Sequence, residues 1–508
     1  MNKLRQGDVS IVQILLLALL CAPAAFASVT LHKPHMMIPI MFLGVTAGIF
    51  LLRNPYIFFW GIVFTAPVTD HLAINLGPFN VRPYNLLAAG GAAWFLLQFF
   101  FRINSKVMIK AKEGIPYFLP LAFLGVIKLI GALNSNAGNL YVPLKFPLKF
   151  LILANLTYLS CFIVYSFCVD EDRLKKVIRF WLHLSNVIVV LAVIQVILSN
   201  VAGFHYVHHR DVIWFGRPYS VFREPDVLGS FVAATCIMII PLVVFKIKVI
   251  EKRYLIFTFM MNAFLMVVIF VRAAWLGFMV TAVITYASFV ISRSESKVRP
   301  YLNKAFLGFI FGAFSLPILL PSYTATLAER FTSIAKPGKE GASAYRMMEL
   351  EHMVEKSLPN NGSESVQTFI LGHGDFTWSY WGPELAGDAY NQDAKTSDTV
   401  LIHPGYCMML TFLFDNGLSG VFLISLFFMI MMVRYWNLMK SDLDQHDKGL
   451  LMATLLPQIV ILICFQFSYD PITPFMWILT GIHIAWAGHC SNKLKSQQEE
   501  FNHATCAI

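Results

Sequence analysis

Apolar runs of about 17 to 25 residues, each long enough for a hydrocarbon core of about 30 Å, follow one another almost from end to end of this chain. Short polar links, many of them basic, separate the runs. The pattern predicts spans centred near residues 19, 44, 62, 93, 124, 158, 189, 237, 263, 283, 313, 425, 459 and 480. It reads as an all-α polytopic membrane protein of about twelve to fourteen transmembrane helices with one large external loop. Residues 1–320 form the first part of the helical bundle, with an external loop at 203–226. The large loop occupies 321–400, the last part of the bundle 401–490, and a cytoplasmic tail 491–508.

The large loop is expected to carry short helices. Residues 343–354 place Tyr345, Met348 and His352 at helical spacing on one side, and the run Pro359-Asn360-Asn361-Gly362-Ser363 ends that helix. No heptad or internal repeat is visible, and the spans divide unevenly, about eleven before the loop and three after it. A carrier built from two inverted halves would be more symmetric.

Composition agrees with the pattern: 57% of the 508 residues are hydrophobic and 13% charged, against about one quarter charged in soluble domains. The formal charge of +10 comes from clusters between spans. With a cytoplasmic N-terminus they all fall on the inner side: Arg53; Arg102, Lys106, Lys110 and Lys112; Arg173, Lys175 and Lys176; Lys246, Lys248, Lys252 and Arg253; Arg293, Lys297, Arg299 and Lys304; Arg434, Lys440, Lys448, Lys493 and Lys495. This is a topology signal of a membrane protein with both termini cytoplasmic, not a nucleic-acid surface. Residues 1–28 mimic a signal peptide, with Lys3, Arg5 and Ala25-Phe26-Ala27, but the apolar run from Ile11 to Val29 is long for a signal core and reads as a retained helix. The cysteines lack metal-ligand spacing, and Cys21, Cys161, Cys168, Cys236 and Cys464 behave as small hydrophobes inside apolar segments.

Candidate chemistry collects on the opposite, external face. The loop there holds His205, His208, His209, Arg210, Arg217 and Arg223. It is either an anion clamp or a solvated loop whose arginines meet lipid headgroups or Asp211, Glu224 and Asp226. Pro225 suits a first helical turn, and a helix N-terminus pointing outward would add attraction for anions. Arg272 opens a span in Ile269-Phe270-Val271-Arg272-Ala273-Ala274-Trp275. A central arginine costs roughly 2.5 to 3.5 kcal/mol in a membrane, so it either serves a site or snorkels to the interface. His403, in Ile402-His403-Pro404, is the side chain suited to proton exchange near neutral pH, or a structural histidine at the boundary. Asp415-Asn416-Gly417 reads as a break before the next long span, preceded by a short apolar helix. Gly372-His373-Gly374-Asp375-Phe376 reads as a tight turn, since it lacks the strand, lysine and helix of a nucleotide loop. Glu384, Asp388, Asp393 and Asp398 are spaced irregularly, and neither a metal nor a cofactor is implied.

Four blocks, in this order, resemble the O-antigen ligase and O-antigen polymerase superfamily of bacterial membrane glycan-transfer proteins. The first runs Phe215-Gly216-Arg217-Pro218 through Arg223-Glu224-Pro225-Asp226-Val227-Leu228-Gly229, similar to a family block ending Pro-Asn-Xaa-Leu-Ala. The second is Val271-Arg272-Ala273-Ala274-Trp275-Leu276-Gly277, similar to Ser-Arg-Gly-Ala-Trp-Leu. The third is Arg346 leading to Gly372-His373-Gly374-Asp375-Phe376, and the fourth is His403 with Asn416-Gly417-Leu418-Ser419-Gly420. The chain departs from the family in having Pro404 after the histidine and Asp226 after Pro225.

The resemblance implies metal-independent glycosyl transfer at the periplasmic face of the inner membrane. The donor would be an oligosaccharide or polysaccharide on undecaprenyl diphosphate. The acceptor would be another glycan or a lipid A core. Arg272 with Arg217 or Arg223 would clamp the diphosphate, His403 would serve as catalytic base, and Arg210, Arg346 and His373 would be further substrate contacts. Ligase and polymerase remain open, in lipopolysaccharide or exopolysaccharide biosynthesis. A transporter of an anionic solute is the alternative from a different class.

Overall fold

The computed structural model describes residues 55–68, 74–76, 79–81, 83–100, 106–134, 145–202, 207–208, 217–218, 220–222, 225–269, 271–291, 350–351, 353–358, 363–374, 377, 407–466 and 474–506. Within them the fold is all-α apart from two short antiparallel ribbons. The helices, in chain order, are α1 (Tyr56–Thr65), α2 (Pro83–Phe100), α3 (Lys106–Asn134), α4 (Lys145–Phe167), α5 (Glu171–Ala202), α6 (Pro225–Val244), α7 (Lys252–Ile269), α8 (Arg272–Ile291), α9 (Ser363–Leu371), α10 (Met408–Lys440), α11 (Gln445–Phe465) and α12 (Pro474–Cys506). The ribbons pair β1 (Ile74–Leu76) with β2 (Phe79–Val81), and β3 (Val207–His208) with β4 (Arg217–Pro218).

Among the described residues, seven helices are long and apolar enough to cross a membrane: α3, α5, α6, α7, α8, α10 and α11. The chain is a multi-pass membrane protein. Every expected span centre that falls on described residues lies in a helix, while those near 19, 44 and 313 lie outside them. Residues 1–28 also lie outside them.

Burial separates central from peripheral helices. The apolar windows of α6 and α11 are each 83% buried, those of α5, α8 and α10 39% or less. The flanking helices leave Phe257, Phe264, Phe422 and Val433 exposed on outward faces, as lipid-facing residues should be. Close approach explains the tight centre. A Cβ on Gly229 of α6 would lie 2.9 Å from Val271 Cβ, and one on Gly277 of α8 would lie 3.0 Å from the Val460 carbonyl of α11. Small residues let membrane helices exploit dispersion where no hydrophobic force acts between them.

Side-chain hydrogen bonds between helices add direction to this packing. Asn186 Nδ2 of α5 donates to Tyr254 Oη and Thr258 Oγ1 of α7, each at 2.9 Å. Trp181 Nε1 of α5 donates to Thr235 Oγ1 of α6 at 3.1 Å.

The bundle has two chemically different ends. At one, the start of α11 and the late part of α12 are joined by Lys493, whose ammonium donates to Asp444 and Asp447 at 2.7 Å each. The Arg179 guanidinium of α5 reaches the Val249 carbonyl there at 2.9 Å. The links with Lys246, Lys248, Lys252, Arg253, Lys440 and Lys448 fall at this basic end.

Candidate functional site

The other end gathers the start of α6, α8, α10 and α12 and the finish of α5, α7 and α11, because consecutive spans alternate in direction. Three contacts fix the grouping. Cys464 Sγ, near the finish of α11, lies 3.4 Å from the Ala273 carbonyl in the first turn of α8. Cys407 Sγ, which precedes α10, lies 3.4 Å from Gln466 Oε1 just beyond α11. Phe222, three residues before α6, packs its ring 5.9 Å from that of Phe475 at the start of α12.

Arg272 is the first residue of α8 and is half-buried. No acidic residue shares its first turn. A cation there opposes the helix dipole, so helix stability does not explain its place. An anion held at that helix end would meet both the guanidinium and the positive end of the helix dipole. The start of α6 stands beside it, through Gly229 against Val271 and Ala274. Pro225 occupies the first position of α6, where its missing N–H is harmless, and Asp226 suits the dipole.

The loop between α5 and α6 is anchored to both helices and to α12. In its ribbon His208 stands opposite Arg217, and β4 lies against α5 and α7. Two residues past the ribbon, Ser220 adopts a left-handed backbone with φ 51° and is 4% exposed. The Gln195 side chain of α5 accepts from the Ser220 N–H at 2.7 Å and donates to the Ser220 carbonyl at 2.8 Å. Ser220 Oγ donates to the Ile188 carbonyl at 2.8 Å. Phe222 then enters an aromatic cluster with Phe231 of α6 and Phe475 of α12, whose rings also flank Trp181 of α5.

Residues of the large loop meet the bundle at a break in α10. Gly417 has φ 62° and ψ −168° within an otherwise helical run, so α10 is a short helix followed by a long span, as Asp415-Asn416-Gly417 predicts. The turn after α9 docks on this break through its backbone. His373 N–H donates to the Phe414 carbonyl at 2.9 Å and Gly374 N–H to the Asp415 carbonyl at 3.0 Å. Gly372 and Gly374 both have positive φ, 82° and 107°, which L side chains rarely adopt. The expected tight turn is there, with a docking role that the sequence pattern does not reveal.

His373 caps the junction. Its ring stacks on Phe414 at 4.3 Å, and Nε2–H donates to the Lys356 carbonyl at 3.1 Å. Burial, the main influence, holds the imidazole below its usual range, although the Lys356 bond acts in the opposite sense. Residues 353–357 are helical, and Met353 is fully buried beside Phe414. That fits the amphipathic helix expected to end near Pro359, whose marker residues Tyr345, Met348 and His352 lie outside the described residues.

Deeper in the bundle is a second polar locus. The Thr454 hydroxyl lies 2.9 Å from the Leu450 carbonyl and is hydrogen-bonded to His483 Nδ1 at 3.1 Å. His483 Nε2 is buried without a hydrogen-bond partner among the described residues, and His483, Arg434 and Tyr117 line one small pocket. Arg434 donates to the Ala487 carbonyl at 3.2 Å and Ser491 Oγ at 3.0 Å, and lies over the Tyr117 ring at 4.2 Å. Lys128 of α3, 6% exposed, lies 5.2 Å from the Phe412 ring of α10. At the basic end, the ligand atoms of Asp444, His446 and Asp447 lie within 4.8 Å of one another. Lys493 already pairs both carboxylates there, which makes the cluster a charge staple.

Among the sequence-derived candidates, Arg272 and His373 are described in full and Arg217 in its main chain. Arg210, Arg223, Arg346 and His403 lie outside the described residues, as do Glu384, Asp388, Asp393 and Asp398. Sequence reasoning missed Gln195, Ser220, Lys128 and His483. For three of them a signal existed, a lone polar residue in an apolar run: Gln195, Lys128 and His483. Ser220 offered none. No protein-family model matches the chain, and no curated protein matches it.

Proposed function

We propose that the chain is a membrane glycosyltransferase that takes a glycan from a polyprenyl-diphosphate carrier and joins it to an acceptor hydroxyl at the end of the bundle where α6 and α8 begin. One observation carries this reading. Sequence blocks far apart in the chain, with described residues 217–218, 220–222, 225–229, 271–277, 372–374 and 415–420, reach the end away from the basic clusters. By the positive-inside rule that end faces the periplasm of a bacterial inner membrane.

The chemistry asks for a fixed positive field where the diphosphate leaves and for a base near the incoming hydroxyl. Arg272, with Arg217 or Arg223, supplies the field: a guanidinium stabilises the departing charge through paired N–H donors. His403 takes the hydroxyl proton. Arg210, Arg346 and His373 are contacts of lower rank, with His373 acting through the turn it caps. Lipopolysaccharide ladders and free exopolysaccharide from a deletion strain separate the two outcomes. Loss of capped lipopolysaccharide means ligation, and loss of long chains alone means polymerisation.

A transporter of an anionic solute is the second reading, and the buried His483 with Arg434 favours it, since ionisable groups inside a bundle mark transport pathways. Counterflow of an anion in proteoliposomes that survives Arg272→Ala and His403→Ala would replace the transferase reading.

A further inference from the structure

The Gln195 side chain makes hydrogen bonds to both backbone polar groups of a single loop residue on the site side, and that loop carries Arg217. A glutamine facing apolar neighbours in a membrane helix is expensive unless it is paired. Here it pairs with one residue, Ser220, through the N–H and the carbonyl of the same residue. The amide must have its oxygen towards Ser220 N–H and its nitrogen towards Ser220 carbonyl, because the reverse orientation loses both bonds.

The place of Ser220 gives the pairing its meaning. It stands two residues after β4 and two before Phe222, which is 2% exposed among the rings of α6 and α12. Ser220 holds a left-handed backbone that serine reaches only under constraint, and such strain collects where geometry is needed for function. Arg217 lies three residues upstream and Arg223 follows Phe222 directly. The segment between the two candidate clamp residues is therefore pinned three times, by the Gln195 amide and the Ile188 carbonyl of α5 and by a buried ring.

We propose that Gln195 is a positioning residue of the site: by gripping Ser220 it fixes the main chain from which the loop arginines meet an anionic donor. This rests on the transferase reading above. Gln195 touches no reacting atom, and its effect runs through Arg217 and Arg223.

The test uses the full chain in proteoliposomes, with a synthetic short-chain polyprenyl-diphosphate oligosaccharide as probe. Gln195→Glu keeps the size and the acceptor for Ser220 N–H but sets a carboxylate oxygen against the Ser220 carbonyl. Gln195→Leu removes both bonds. In Gln195→Leu hydrogen exchange at the Ser220 amide should quicken by about tenfold, as for one lost hydrogen bond, and in Gln195→Glu, which keeps that acceptor but repels the Ser220 carbonyl, by a smaller factor. The half-saturating donor concentration should rise in step, by about tenfold in Gln195→Leu. In an Arg217→Ala, Arg223→Ala background, Gln195→Leu should bring no further loss, because its effect passes through those arginines.

Unchanged exchange at Ser220 in both variants overturns the grip. Faster exchange with an unchanged donor requirement, or losses that multiply with those of the arginine substitutions, overturns the positioning role and leaves the transferase reading standing. A wild-type protein that neither binds nor transfers the probe removes the transferase reading and the positioning role together, while the exchange data still report on the grip.

Discussion

A Cβ placed on Gly417 would stand 2.5 Å from the amide nitrogen of Gly372. Two chain segments 45 residues apart by number thus meet backbone to backbone, with a Cβ on Gly372 in turn 2.3 Å from the Asp415 carbonyl oxygen. Neither glycine can take a side chain without parting the large-loop turn from α10. Gly417→Ala and Gly372→Ala are each expected to lower stability by about 1–3 kcal/mol, from strain at positive φ and from overpacking. Thermal unfolding of the detergent-solubilised protein and protease cleavage near residue 373 are the measurements. Wild-type resistance in both variants would contradict the docking.

The same junction should respond to pH. Burial depresses the folded-state pKa of His373, so its neutral form is favoured in the docked turn. The stability this contributes is present above the unfolded value of about 6.5 and is lost as pH falls from there through the folded value. Protection of the Gly374 amide from exchange, relative to its intrinsic rate at each pH, should therefore fall between about pH 7.5 and 5. His373→Phe keeps a ring against Phe414 and should flatten that dependence.

Phe222 anchors the arginine loop by burial. Phe222→Ala opens a cavity among Phe231, Phe475 and Trp181, and should cost about 3–5 kcal/mol, less where the neighbours collapse inward. Phe222→Leu should cost less than half of that. Equal losses in the two variants would mean that the ring contacts matter more than the volume they fill.

At the basic end, Asp447 is a carboxylate whose side chain is 3% exposed and held by Lys493. Lys493→Met is expected to destabilise the protein by about 1–3 kcal/mol, because it strands a buried charge. Asp447→Asn in the same chain should recover part of that loss. Transfer activity per folded molecule should stay at the wild-type level in both, since this staple lies at the far end from the site.

The apolar runs made the spans legible because lipid demands them. The start of α8 at Arg272 and the break in α10 at Gly417 were legible for local reasons, a charge at a seam and an Asn-Gly step. The meeting of Gly372–Gly374 with Phe414–Asp415 was not, because main-chain donors and acceptors are the same at every residue. Gln195, a polar residue in a span, was a signal that sequence reasoning passed over, and its partner has none: Ser220 lies across a loop, and its left-handed backbone has no side-chain signature. His483 is similar, its role set by the Thr454 hydroxyl one helix away.

Transfer by the purified full-length protein in proteoliposomes, without accessory proteins and with EDTA present, tests the central claim most directly. Wild type should join a polyprenyl-diphosphate-linked glycan to its acceptor, and Arg272→Lys and His403→Ala should each lose at least about 99% of that rate while inserting normally, as expected when a planar donor fork or a base is removed. Wild-type rates in Arg272→Lys, or no transfer by the wild-type protein, would contradict it.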